Sequence, residues 1–162
     1  MRRIRIFLIL CVIATGFCFG QLPHTFTQYT SEDGLSQNTI MSILQDDKGV
    51  MWFATWDGLY KFDGYTFNNY KAHPGDSIGL SNNRLDNIKE DRYGYIWVQS
   101  YNHQVYRFNP RLERFQAIPY DNYLSLDMYV LPCGDVWIIT VQNELIHIST
   151  PVSYTHLTLP TT

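Results

Sequence analysis

The chain has 162 residues, a formal net charge of −3, and 15% aromatic against 17% charged residues. That aromatic share excludes a disordered chain, and the acidic balance excludes a partner held by clustered Lys and Arg, as nucleic acid is. What remains is a globular, β-rich class.

Residues 1–20 place Arg2, Arg3 and Arg5 before an apolar run over 6–14 and end on the small residue Gly20, the layout of a cleaved export signal. A retained membrane anchor is the alternative. The run is shorter than the ~20 residues a spanning helix requires. Bulky Phe17 ahead of Cys18 argues against lipid attachment there. Without this segment nine basic residues face fifteen acidic ones, a charge of −6, and Cys133 is the remaining thiol. One cysteine makes neither an internal disulfide nor a metal cage, so Cys133 is expected to be a small turn residue before Gly134 rather than a reactive thiol.

Residues 24–30 alternate in character around Phe26 and Tyr29 and predict a strand. The same F-x-x-Y pattern returns at Phe67 and Tyr70, and more loosely at Phe115 and Ile118, where it closes a repeat instead of opening the chain. A first strand with no sheet of its own is how a β-propeller closes: the last blade borrows it, and no sheet edge stays unpaired.

Repeat one covers residues 34–70, repeat two 79–118, and a partial repeat three 124–149. Ile43, Asp46, Gly49 and Trp52 are answered by Ile88, Asp91, Gly94 and Trp97, all at an offset of 45 residues. Gly134 and Trp137 keep the same spacing in the third copy. A period in the forties made of short strands is the signature of propeller blades. Each repeat starts with a polar connector, Gly34-Leu35-Ser36-Gln37-Asn38 and Gly79-Leu80-Ser81-Asn82-Asn83, loosely replaced in the third by Leu124-Ser125-Leu126. A hairpin follows, in which Asp46 or Asp91 opens the turn and Gly49 or Gly94 takes its left-handed position. These acidic loops invite a calcium reading, but they lack the alternating oxygen ligands of an EF-hand. The second strand carries Trp52, Trp97 or Trp137, a ring of the size that fills the wedge between two blades.

The expected fold is therefore all-β: about two and a half to three four-stranded blades, a partial β-propeller cut from a larger ring of roughly seven, preceded by a signal peptide. Four blades of ~45 residues already exceed this chain. Residues 150–162 match no repeat and have the look of translated adaptor sequence appended after Ser149, so they are set apart from the fold.

Candidate site residues lie in the loops between second and third strands, which emerge on the same face as the connectors: Trp56 and Asp57, then Tyr101, Asn102 and His103, then Gln142 and Asn143. An aromatic beside amides or carboxylates suits a sugar, because the ring stacks on C–H groups while polar tips take hydroxyls. The alternative is that the rings pack on neighbouring loops and that Asp57 and Asn102 make turns. No catalytic residues are assigned. Asp46, Asp63 and Asp91 are accounted for by turns, Glu32 and Glu144 have no partner carboxylate placed by the sequence, and no serine nucleophile motif occurs. The five histidines lack ligand spacing, so neither metal nor cofactor is expected.

The motif I-L-Q-D-D-K-G-V-M-W-F-A-T-W-D-G-L-Y-K-F-D, with its G-L-S-x-N connectors, resembles the two-component regulator propeller repeat over residues 22–149, strongly for two repeats and weakly for the third. The resemblance implies the periplasmic sensor of a hybrid two-component system histidine kinase, exported to the periplasmic face of the inner membrane. It also implies an oligosaccharide ligand, a homodimeric full-length receptor with further blades and downstream domains, and control of polysaccharide use by phosphorelay. A glycan-binding surface or periplasmic scaffold is the alternative class, and a glycan-cleaving propeller enzyme a third.

Overall fold

In the computed structural model, residues 25–73, 75, 79–118 and 124–149 are described, with the backbone of 153–158. The export signal expected at 1–20 lies outside them. Among the described residues no helix is long and apolar enough to cross a membrane.

Three four-stranded antiparallel sheets follow one another along the chain, each in simple meander order. The first holds β1 (Ile40–Gln45), β2 (Met51–Thr55), β3 (Gly58–Phe62) and β4 (Phe67–Tyr70). The second holds β5 (Leu85–Glu90), β6 (Ile96–Ser100), β7 (Val105–Asn109) and β8 (Arg114–Ala117). The third holds β9 (Ser125–Val130), β10 (Val136–Thr140), β11 (Glu144–Ser149) and β12 (Ser153–Thr158). The opening strands β1, β5 and β9 approach one another, so they line the inner side of an arc of blades. The register slips once in each opening strand, between Ile40 and Ser42, between Leu85 and Asn87, and where Ser125 meets Thr140. A bulge at one place per blade bends each inner strand in the same way.

The first hairpin of every blade is built as its residues demand. Gly49 donates to the Asp46 carbonyl at 2.8 Å, Gly94 to Asp91 at 2.9 Å and Gly134 to Leu131 at 2.9 Å. These glycines have φ of 82°, 77° and 97°, which a Cβ would strain. The Asp46 carboxylate accepts the amides of Lys48 and Val50, and its second oxygen accepts Trp52 Nε1 at 2.9 Å. Asp91 does the same for Tyr93, Tyr95 and Trp97 Nε1, the last at 2.8 Å. One side chain thus ties the turn to the ring that fills the blade.

Those rings join successive blades. Trp52 is buried together with Leu85, Ile88, Ile96, Val98 and Phe108 of the second sheet. Trp97 is buried with Met128, Val136, Ile138, Ile146 and Ile148 of the third. Trp137, expected in the same role, is only half-buried. It stacks on the His147 ring at 4.2 Å, and His147 Nε2 lies 3.1 Å from Asp135. The side of its sheet bearing Tyr129, Ile139 and Leu145 is an open cleft of about 230 Å³, because no fourth sheet packs there among the described residues.

Two features differ from the expectation. Residues 25–30 form no strand, and among the described residues no strand lies beside them to pair with. Their position is nevertheless informative. Tyr29 lies against Phe62 of β3 with ring centroids 5.0 Å apart, and Tyr70 lies against Phe108 of β7 at 4.8 Å. Tyr29 therefore stands to the first sheet as the closing strand of the first sheet stands to the second. The tail, set apart on sequence grounds, contributes β12, which pairs with β11 from Ser149↔Ser153 to Glu144↔Thr158. An open edge accepts any extended segment of strand-forming residues, so this pairing carries no information about the segment's origin.

Candidate functional site

The loops between second and third strands share a face with the connectors, and backbone hydrogen bonds hold them to it. The Tyr101 amide donates to the Arg84 carbonyl and Val141 to Leu124, each linking a loop to the connector of its own blade at 2.8 Å. Gly58 donates to Asn83, and Ser125 to His103, linking a loop to the next connector, also at 2.8 Å. Gly58 has a φ of 109°, and a Cβ there would stand 2.5 Å from the Tyr70 carbonyl oxygen. The first loop is therefore closely fitted to the end of its own sheet.

Asp57 is the centre of a polar knot. Its carboxylate accepts Ser36 Oγ at 2.6 Å and pairs with Lys71 Nζ at 2.6 Å, while Ser36 Oγ also bonds the Tyr60 hydroxyl. Partial burial raises the Asp57 carboxyl, but the Lys71 and Ser36 hydrogen bonds and the Lys71 charge outweigh it and hold it below the usual carboxylate range. Asp57 is ionised at neutral pH and already partnered. In the second blade Asn102 Nδ2 reaches Ser81 Oγ at 3.3 Å, and Ser81 Oγ meets the Tyr106 hydroxyl at 2.6 Å. The connector serine thus locks onto loop and third strand in both blades. Asp57 and Asn102 hold the loop to the connector and its neighbours.

The aromatic members behave differently. Trp56 is 41% exposed and Tyr101 52% exposed. Between them lies the Arg84 guanidinium, 4.3 Å from the Trp56 ring centroid and 4.0 Å from that of Tyr101. Arg84 therefore bridges the loops of two blades by stacking, a geometry that a planar guanidinium permits. Its Nε is buried without a hydrogen-bond partner, and among the described residues no hydrogen bond from its terminal nitrogens is found. No carboxylate among the described residues pairs with it. Sequence reasoning missed Arg84. Its one signal was Arg84 itself, standing where the first repeat has Thr39.

His103 is held by Nδ1 against the Ser125 carbonyl at 2.9 Å and adopts a φ of 65°. Gln142 and Asn143 are exposed on the third loop, Asn143 with a φ of 60°. No hydrogen bond or ring contact joins either to Trp56, Arg84 or Tyr101 among the described residues. The structure thus brings together Trp56 and Tyr101, through Arg84, and leaves the third loop as a separate part of the same face.

Two further groups of ionisable side chains lie outside this face. A cleft of about 430 Å³ between the outer strands is lined by Tyr70, Lys71, His73, Glu113 and Arg114. There the Tyr70 hydroxyl donates to Glu113 at 2.8 Å, and burial, then the Glu113 carboxylate, push the phenol well above its usual range. Both groups are spent on holding two blades together. On the opposite face burial raises the Glu90 carboxyl, and the nearby Asp47, Asp46 and Asp91 add to it, although the Asp47 amide donates to it at 3.0 Å. Among the described residues no group of three or more His, Cys, Asp and Glu could hold a metal.

The repeat, the meander sheets and the inter-blade tryptophans define this protein as a set of β-propeller blades. Residues 34–57 match the family model described as the two component regulator propeller, so the chain carries that repeat. Histidine kinase P4 of Formosa agariphila is 48% identical over 56 residues, which are 35% of this chain and 4% of that protein. The extracellular domain of a protein assigned as a hybrid two component system, from B. thetaiotaomicron, aligns with a TM-score of 0.67 and 23% identity over 84% of this chain and 20% of that one. A virginiamycin B lyase from Staphylococcus aureus aligns with a TM-score of 0.58 and 15% identity over 76% of this chain and 42% of that one. At these identities the structural likenesses establish the propeller fold alone, and the chain spans only a small part of its relatives' length.

Proposed function

We propose that this chain is the ligand-sensing, extracytoplasmic propeller portion of a hybrid two-component sensor histidine kinase, that its ligand is an oligosaccharide, and that it governs polysaccharide use by phosphorelay. The observation that carries the reading is the match of residues 34–57 to the two component regulator propeller. That stretch runs from the connector through the tryptophan strand to Trp56 and Asp57, the first loop of the candidate face.

The face has the composition a sugar needs. Two half-exposed rings from neighbouring blades offer flat apolar surface, and Gln142 and Asn143 offer amides that both donate and accept. The chain supplies recognition and no chemistry of its own; phosphate transfer belongs to the downstream portion of a full-length receptor, acting as a dimer. The test uses membranes carrying the product of the whole reading frame. Incorporation of phosphate from ATP into the receptor is expected to change when a cognate oligosaccharide is added, and to lose that response in a Trp56→Ala, Tyr101→Ala double variant. A reading frame without spanning helix or kinase, or a response indifferent to both substitutions, would overturn it.

A further inference from the structure

On the candidate sugar face no carboxylate among the described residues pairs with Arg84. The cation nearby, Lys71, is engaged: it pairs with Asp57. Arg84 is fixed by contact with the Trp56 and Tyr101 rings and by its backbone, whose amide donates to Asn82 Oδ1 at 2.9 Å and whose carbonyl accepts Tyr101. A guanidinium held against two rings has already lost much of its rotamer freedom, so little more is lost when it binds. Its terminal nitrogens form a fork of the right width for the two oxygens of a carboxylate or sulfate. The rings that clamp it remain half exposed, next to where such a group would sit.

From this we infer that the connector face selects acidic sugars, with the Arg84 fork receiving a carboxylate or sulfate ester while Trp56 and Tyr101 stack on the sugar ring that bears it. The inference rests on the sugar-binding reading above and narrows it to a ligand class. A purely structural role for Arg84, as a staple between two loops, would leave ligand preference unchanged when its charge is removed.

The experiment measures binding calorimetrically on the extracytoplasmic region of the full reading frame, with three families of hexose disaccharide of matched linkage: neutral, uronate-bearing and sulfated. At least one acidic family is expected to bind tenfold or more tighter than its neutral counterpart. Arg84→Gln should lower the affinity for the acidic family at least tenfold more than that for its neutral counterpart, and Arg84→Lys, which keeps the charge but not the fork, should fall between. Uronate and sulfate arms separate the two sources of anionic oxygen. A thermal melt of each variant reports folding, and a variant that melts early is replaced by Thr, the residue of the first repeat. Equal affinity for neutral and acidic sugars, or an acidic preference untouched by Arg84→Gln, overturns the inference and leaves the sugar reading standing. Absence of binding by all three families overturns both.

Discussion

Trp97→Ala should destabilise the extracytoplasmic region by about 3–5 kcal/mol, the cost of removing a fully buried large ring that cannot be compensated by collapse. The ring is 1% exposed, and its loss would open a void between the second and third sheets, against Met128, Ile138 and Ile146. The informative comparison is Trp137→Ala. In this chain Trp137 is half-buried, so its truncation alone would cost far less. If a further blade packs on the face bearing Tyr129 and Ile139, Trp137 becomes another wedge residue, and its removal in the complete ring should cost as much as that of Trp97. Denaturant unfolding of both variants reads the difference directly.

Asp91→Ala is expected to cost roughly 3 kcal/mol or more, because three donors lose their acceptor at once. Asp91 is 2% exposed and serves the Tyr93 and Tyr95 amides and the Trp97 indole N–H. Asp91→Asn keeps one carbonyl oxygen, enough for the two amides or the indole but not for all three, and should fall in between. The third blade shows how the hairpin manages without this residue. Leu131 stands in place of the aspartate, yet the turn still closes, with Gly134 donating to Leu131 at 2.9 Å. Its tryptophan rests on His147 instead. Loss of the carboxylate should therefore weaken the blade without changing its topology, which amide exchange at Tyr93 and Tyr95 would reveal as local loss of protection.

The sequence made most of the fold legible because each blade repeats the same physical problem. A turn aspartate, a left-handed glycine and an inward ring, returning at Asp46, Gly49 and Trp52 and again at Asp91, Gly94 and Trp97, leave little room for another architecture. What it could not show were relations across blades. That Tyr29 takes the place beside Phe62 that Tyr70 takes beside Phe108 depends on inter-blade geometry, and a single strand's pattern is silent on that. The half-burial of Trp137 reflects that no further sheet packs on it among the described residues, although its residue type and spacing match those of Trp52 and Trp97. At the candidate face, Trp56 and Tyr101 were legible as exposed aromatics. Their union through Arg84 was not, because the arginine lies in a connector far from either ring in sequence. Asp57 looked equally available from its position, and only the Lys71 and Ser36 contacts show that it is already engaged.

The most direct measurement is the solution state of residues 22–149 produced alone, followed by sedimentation and thermal melting. Two outer blade faces and the Phe26–Tyr29 segment would then lack the neighbours that a closed ring supplies, so self-association and a broad, non-cooperative melt are expected. A monodisperse monomer that melts in one sharp transition would contradict the arc, and with it the receptor built upon it.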